Sequence, residues 1–185
     1  MSSHLDYEIN KELGECYLFM GELDKAEEYY TKAAGSNGIH PDPYLGLATV
    51  AVHRGDLDRA MDLYKKAASI QPSDKSLSGM GLIEMEYGMH TEAFEHFTQA
   101  LDSNPENIVA LFGIIQLGHV LDRLVEVVPH LRNHLALEPD KTEIRYSLAG
   151  CLVALGDKEA ARNELETILS SHPEDKKALE LMAQI

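Results

Sequence analysis

The stretch that decides the fold is residues 43–72, which read PYLGLATVAVHRGDLDRAMDLYKKAASIQP. Apolar residues recur in it at helical spacing in two separate runs. Gly55 lies between the runs and can adopt the left-handed backbone conformation that ends a helix. Pro72 stops the second run, because proline lacks the amide donor and clashes with the preceding turn. The segment therefore predicts two amphipathic helices joined by a tight turn.

The same pattern returns along the chain with a fixed period near 34 residues, which predicts a repeat architecture. The punctuating prolines are Pro72, Pro105, Pro139 and Pro173, and the turn glycines are Gly21, Gly55, Gly88 and Gly156, with Asp122 in the remaining slot. Aligning on this period predicts five repeats and a terminal helix. Their bounds are 7–40, 41–73, 74–107, 108–141, 142–175 and, for the terminal helix, 176–185.

This pattern resembles the tetratricopeptide repeat family, whose 34-residue motif has Leu-Gly and Tyr in its first helix and Ala, an aromatic residue, Ala and Pro in its second. The matching residues are Leu13, Gly14, Tyr17, Ala26, Tyr30 and Ala33 in the first repeat; Tyr44, Leu47, Ala48, Ala60, Tyr64, Ala67 and Pro72 in the second; Met80, Gly81, Ala93, Phe97, Ala100 and Pro105 in the third; and Leu148, Ala149, Leu152, Ala161, Leu165 and Pro173 in the fifth. The fourth repeat is degenerate. The resemblance implies an all-α, right-handed superhelical solenoid that forms a single domain over residues 1–185, with the first helices as its inner wall.

Composition limits the possible partners and locations. Acidic residues number 31 against 16 basic residues, and the net charge of −15 argues against nucleic acid and anionic membrane surfaces. No run of apolar residues is long enough to insert into a membrane. Residues 1–7 have no basic segment followed by an apolar one, so we expect no export signal.

The two cysteines predict a reducing, cytoplasmic compartment, because Cys16 and Cys151 are too far apart for a disulfide or a zinc motif. Both occupy the same place in their repeats. Their counterparts in the other repeats are Val50, Ile83 and Leu117. We therefore expect both to be small buried core residues.

No recognisable catalytic or cofactor-binding motif is present: the sequence lacks GxGxxG, a P-loop, HExxH and a nucleophile elbow. We therefore expect neither catalysis nor a cofactor. His130 and His134 lie four residues apart and could share a metal ion, but no third ligand is near them in sequence. We expect them to be partly buried helix residues.

The resemblance implies a concave groove lined by first-helix residues, and we expect a partner peptide to bind there. The groove positions are Leu45, Thr49, Val52 and His53; Ser78, Leu82, Met85 and Glu86; Phe112, Gln116, His119 and Val120; and Tyr146 and Val153. This wall is mostly apolar, with Phe112 and Tyr146 as aromatic anchors. The alternative is that some of these residues pack in the core between repeats.

A column of glycines, Gly46, Gly79 and Gly113, occupies one place in three successive repeats and is continued by Ser147. Each glycine inside a helix costs roughly 1 kcal/mol relative to alanine, so something requires the space. The space serves either a ligand backbone or close helix packing. If it serves a ligand, Gly79→Arg should abolish partner binding and leave melting nearly unchanged.

The family's clamp for acidic chaperone C-termini is incomplete here. Lys11 matches one position, but Glu15 and Gly46 replace two asparagines, and Lys75 and Gly79 supply one of two later cations. We therefore predict an apolar or basic-flanked peptide segment as the ligand.

Two other roles stay open. One is a homo-oligomeric scaffold assembled through the terminal repeats, using the helix that contains Pro129 and the C-terminal helix. The other is a chaperone or regulatory subunit of a larger complex. Pro129 lies in the middle of a predicted helix and should kink it.

Overall fold

The computed structural model describes residues 2–36 and 39–185, with only the backbone of residues 2 and 3. Within those residues the chain forms helices and no strand. The helices are α1 (Ser2–Phe19), α2 (Leu23–Ser36), α3 (Asp42–His53), α4 (Leu57–Ile70), α5 (Asp74–Glu86), α6 (His90–Ser103), α7 (Ile108–Val120), α8 (Leu124–Leu137), α9 (Thr142–Ala154), α10 (Lys158–Ser171) and α11 (Lys176–Met182). The prediction of five helix pairs and a terminal helix is confirmed.

The helices form two compact units. The N-terminal unit contains α1–α6 and the C-terminal unit contains α7–α11. Within each unit, helices of one repeat pack together, and the second helix of a repeat packs against the first helix of the next. Each unit therefore buries its helices in the manner of stacked repeats. The assignment of the whole chain to one domain stays a prediction.

Helix α1 begins at Ser2, ahead of residue 7, where we expected the first repeat to start. No proline or glycine occurs between Ser2 and Leu13 to end it earlier. Tyr7 anchors the extension: it is buried, and its ring lies 4.7 Å from the ring of His40.

The turns between paired helices use the left-handed backbone conformation at the predicted positions. The φ angles are 76° at Gly21, 76° at Gly55, 74° at Gly88, 83° at Gly156 and 57° at Asp122. Asp122 thus takes the conformation of the glycine that it replaces. An L side chain is strained in this region, although aspartate tolerates it better than most residues.

Replacing this strained residue is expected to stabilise the C-terminal unit. Asp122→Gly should raise the free energy of unfolding by about 0.5–1 kcal/mol, because glycine adopts a positive φ without a Cβ clash. Urea unfolding measures the change. Gly55→Ala, which adds a Cβ at another turn of positive φ, should lower the free energy of unfolding. An unchanged midpoint for Asp122→Gly would show that the aspartate side chain itself stabilises the turn.

Aromatic rings of second helices fill the space beside small residues of first helices. Tyr30 of α2 is buried, and burial raises its phenol pKa to about 12. A Cβ added to Gly14 would lie 2.7 Å from this ring, and a Cβ added to Gly46 would also lie within 3.0 Å of it. The Tyr30 ring is therefore held between α1 and α3, and a methyl group on either glycine would overlap it.

Packing against a tyrosine ring also explains why position 79, the second of the column, is a glycine. Gly79 of α5 is buried, and an added Cβ would lie within 3.0 Å of the Tyr64 ring of α4. The space at Gly46 and Gly79 is thus taken by tyrosines of the preceding repeats, which favours the packing alternative over a ligand. These distances contradict the expectation that Gly79→Arg would leave melting unchanged. Gly113 is also buried, in α7.

The two cysteines differ in their surroundings. Cys151 is buried as expected, and burial raises its thiol pKa to about 11. The expectation is wrong for Cys16, which is exposed. Its counterpart Val50 packs against Ala26 and Tyr30 of the preceding repeat. By contrast, α1 is the first helix that the structure describes.

Helix α8 runs without interruption from Leu124 to Leu137 and contains the exposed Pro129. The kink at this proline stays a prediction. Searched over the described residues, the helices include none that is long and apolar enough to cross a membrane.

Candidate peptide-binding surface

In the N-terminal unit, the structure separates the predicted groove residues of α3 and α5 into exposed and buried sets. Val52, His53 and Leu82 are exposed, with Val52 and Leu82 at 39% and 46% of their full accessible surface. Leu45, Thr49 and Met85 are partly buried, while Gly46, Ser78 and Gly79 are buried. Six of these predicted residues can therefore contact a ligand. The other three belong to the interior.

In the C-terminal unit, α7 presents an apolar stripe to solvent. Phe112 is 46% exposed, and Gln116 and His119 are exposed beside it. Gly113 is buried, and Tyr146 of α9 is partly buried.

Besides Ile108, which is 42% exposed, sequence reasoning missed Val109 in this stripe. It is 45% exposed and lies three residues before Phe112 on the same helix. Helix α7 reads IVALFGIIQLGHV and is apolar on every side. A buried helix needs that composition on all faces, so an exposed face of such a helix is a signal for a binding surface.

Exposed large apolar side chains are distributed unevenly between first and second helices. Within the described residues, α2, α4, α6 and α10 expose none, and α8 exposes Val125 and Leu137. Among the first helices, α1, α3, α5 and α7 each expose at least one, and α9 exposes none. A stacked repeat requires apolar contacts on faces covered by its neighbours, but it does not require exposed apolar residues on one class of helix. In each unit, the exposed faces of the first helices are therefore the candidate binding surface.

A pocket of about 530 Å³ opens beside the aromatic anchors in the C-terminal unit. It is lined by Phe112, Thr142, Glu143, Tyr146, Ser147, Asp175, Lys176 and Lys177. The predicted anchors Phe112 and Tyr146 thus share one pocket. The contribution of α11 was not predicted, because its lysines lie outside the groove positions that the repeat period assigns.

Local contacts hold the pocket walls in place. The Tyr146 side chain packs against a core cluster that contains Ala149, Leu165 and Ile168. Ser147 Oγ donates a hydrogen bond to the Glu143 carbonyl oxygen, at 3.0 Å. The pocket thus has an apolar floor fixed by the core.

Lys11, which matches one position of the clamp, lies beside two carboxylates. Its ammonium lies 3.5 Å from the Glu8 carboxylate and 3.4 Å from the Glu12 carboxylate. Glu15, at the place of an asparagine, is exposed.

One of the two histidines in α8, His134, has a structural role. His134 is buried, and its Nδ1 donates a hydrogen bond of 2.9 Å to the Pro105 carbonyl oxygen. His130 is partly buried. Among the described residues, no group of three or more His, Cys, Asp or Glu side chains is arranged to hold a metal ion.

The fold and the surface define a class: a protein of paired-helix repeats with an apolar face on its first helices. Two family models, both described as tetratricopeptide repeat, match residues 11–75 and 121–185. The chain belongs to the tetratricopeptide repeat family.

Known proteins are similar to parts of this sequence. The chain is 35% identical over 109 residues to the BBSome complex member BBS4 of Bos taurus, and the match covers 58% of this chain and 21% of that protein. It is 29% identical over 108 residues to the Protein CTR9 homolog of Arabidopsis thaliana, covering 56% of this chain and 10% of that protein. The chain therefore spans about a fifth or less of the length of these relatives.

Solved structures resemble the whole chain in fold. The Pseudomonas aeruginosa pilF structure has a TM-score of 0.74 at 16% identity, covering 100% of this chain and 92% of that one. YrrB, described as a TPR protein with an unusual peptide-binding site, has a TM-score of 0.68 at 17% identity, covering 92% of this chain and 89% of that one. At these identities the likeness shows the fold alone.

Proposed function

We propose that this chain is a non-catalytic interaction module that holds a segment of a partner protein against the exposed faces of its first helices. The observation that carries the proposal is the uneven distribution of exposed apolar residues. Val52 and Leu82 in the N-terminal unit, and Val109 and Phe112 in the C-terminal unit, remain in contact with water. Covering such residues with a partner is favourable by roughly 25 cal/mol for each Å² of apolar surface removed from water.

The relatives support a role in assembly. BBS4 is described as a member of the BBSome complex, and YrrB as a protein with a peptide-binding site. Both descriptions agree with a family whose members bind other proteins.

The partner segment that we propose for the N-terminal unit is apolar, with basic residues beside it. Glu15 and Glu86, on the first helices of that unit, are exposed. The net charge of −15 attracts positive charge at longer range. Two free thiols, Cys16 and Cys151, support a reducing, cytoplasmic location.

The experiment is a capture of partners from native lysate by the wild type and by two variants of exposed residues. Leu82→Ser and Phe112→Ser should each reduce the amount of a bound partner about tenfold, because each removes an apolar anchor. Both variants should melt like the wild type. The control is Val125→Ser, which removes a more exposed apolar side chain, at 69%, from the second helix α8.

The control decides between a specific and a non-specific surface. If Val125→Ser loses the same proteins as Phe112→Ser, capture depends on non-specific hydrophobic contacts. If all three variants retain the partners, the first-helix wall is not the binding surface and the proposal is wrong.

Self-association is a second candidate, because α8 exposes Val125 at 69% and Leu137 at 57%. These residues lie on the helix that the sequence suggested for assembly. The mass in solution should then increase with concentration, and Val125→Ser should reduce the increase. A strict monomer at high concentration excludes this candidate.

A further inference from the structure

A second apolar surface lies on α1, away from the groove positions. Leu5, Ile9 and Met20 are exposed at 61%, 48% and 64%, and Cys16 is exposed beside them. Spacings of four, seven and four residues place these side chains on one side of the helix, and they form the α1 face. The repeat period assigns other residues of α1 to the groove, namely Lys11, Glu15, Leu18 and Phe19.

The second repeat shows what covers the corresponding face of α3. By the repeat period, Ile9 and Cys16 correspond to Pro43 and Val50. Both α3 residues are buried, and Val50 packs in a core cluster with residues of α2, the second helix of the preceding repeat. A face that a second helix covers on α3 is thus exposed on α1. The repeat geometry therefore favours an occupant that packs like α2.

Helix α2 also shows which side chains the occupant needs. Its buried residues are Ala26, Tyr30 and Ala33, a pattern of small, large and small side chains. The Tyr30 ring requires Gly46 on α3, because a Cβ there would lie within 3.0 Å of the ring. The α1 counterpart of Gly46 is Glu12. A helix on the α1 face therefore needs a smaller, aliphatic residue at the place of Tyr30.

Carboxylates surround the α1 face. Helix α1 has four acidic residues and one Lys or Arg, Lys11, which lies 3.5 Å from the Glu8 carboxylate and 3.4 Å from the Glu12 carboxylate. Residues 2–36 contain eight acidic and three basic residues. Arg54 and Arg59 of the second repeat both pair with Glu27 of α2, and with them included the carboxylates are still in excess. A basic helix therefore complements this surface better than an acidic one.

We propose that the α1 face binds an amphipathic helix of a partner protein. Its apolar stripe has the small, large and small pattern of α2, with an aliphatic residue at the place of Tyr30 and basic residues along the edges. The stripe packs on Leu5, Ile9 and Cys16 as α2 packs on α3. This inference goes beyond the proposed function, which concerns the groove positions.

The probe is a synthetic peptide with the sequence of residues 22–36, carrying Tyr30→Leu, Glu22→Lys and Glu27→Lys. A covalent link between positions 24 and 28, which are exposed and one turn apart, keeps it helical, because a free helix of this length is marginal in water. Calorimetry with the full chain should show binding tighter than about 100 μM.

Two variants of matched exposure locate the binding. Ile9→Ser should lower the affinity for the probe about tenfold. Leu82→Ser removes an apolar side chain that is 46% exposed, against 48% for Ile9, from the groove of the same unit and should leave the affinity unchanged. Both side chains are exposed, so both variants should melt like the wild type.

A change of side-chain size tests the role of Glu12. A second probe that retains Tyr30 should bind the wild type about tenfold more weakly, because the Glu12 side chain occupies the space of the ring. In Glu12→Gly this preference for leucine should disappear. The lost charge and any lost stability affect both probes alike, so the ratio of the two affinities reports the packing.

The inference is wrong if the leucine probe binds more weakly than about 100 μM, if Ile9→Ser binds it like Leu82→Ser, or if the preference for leucine survives in Glu12→Gly. It is also wrong if the wild type dimerises without a probe and Ile9→Ser abolishes the dimer, because a second copy then covers the face. Selected peptides that bind the wild type but not Phe112→Ser or Leu82→Ser test the proposed function separately, since neither residue belongs to the α1 face.

Discussion

Gly79→Arg is expected to lower the free energy of unfolding by roughly 3 kcal/mol or more, and Gly79→Ala by about 1–2 kcal/mol. The cause is the Tyr64 ring, which lies within 3.0 Å of the position that a Cβ on Gly79 would take. The ring or helix α5 must move to admit a methyl group. An arginine also brings a charge to a buried position. Urea unfolding followed by circular dichroism measures both changes.

A matched control separates this clash from helix propensity. Gly35 lies in α2 of the same unit, and an added Cβ there would have no neighbour within 4 Å. Gly35→Ala should therefore be neutral or stabilise by up to roughly 1 kcal/mol. The clash at Gly79 also predicts coupling, so Gly79→Ala should cost less in a Tyr64→Leu background. Equal effects of alanine at Gly35 and Gly79 would contradict the packing explanation.

The fold could be predicted because its signals are local and repeat. The turn inside each helix pair uses a residue with positive φ, and the period located the five that the described residues contain, including Asp122. The capping carboxylates were also visible: Asp56 accepts a hydrogen bond from the Arg59 amide, and Asp157 from the Ala160 amide. Each of these features depends on a few neighbouring residues.

The candidate binding surface could be predicted only in part. The exposure of its residues depends on which side chains of neighbouring helices pack against them. The period places Gly79 on a face of α5, but it does not show that the Tyr64 ring from α4 covers that face. The prediction that Cys16 is buried was wrong for a related reason. Its counterpart Val50 is buried where it packs against residues of α2. Lys176 and Lys177 were missed because they line the pocket from the start of α11.

Helix α9 carries a glycine that tests the groove without disturbing the fold. Gly150 is partly buried, and an added Cβ would meet nothing within 4 Å. It lies four residues after Tyr146 and three before Val153, which places all three on one side of α9. It also continues the groove positions of Thr49, Leu82 and Gln116 by the repeat period. A side chain here would extend into open space on the proposed binding face and not into the core.

Gly150→Gln is expected to weaken binding of a Phe112-dependent peptide about tenfold or more, equal to about 1.4 kcal/mol or more. Its free energy of unfolding should be unchanged or raised by up to roughly 1 kcal/mol, because glycine is a poor helix residue. Gly150→Ala gains the same backbone stability but adds only a methyl group, so it should keep the affinity. Calorimetric titration and urea unfolding measure the two quantities on the same samples.

Gly150→Gln is expected to lower the peptide affinity while keeping or raising the free energy of unfolding. It is therefore a stronger test of the groove than Gly79→Arg. A loss of binding by Gly79→Arg follows equally from a blocked groove and from an unfolded N-terminal unit. Gly150→Gln removes that ambiguity, because reduced affinity in a protein at least as stable as the wild type has no explanation through unfolding. If Gly150→Gln binds the peptide like Gly150→Ala, the segment does not pass over α9, and Phe112 must contact it from another direction.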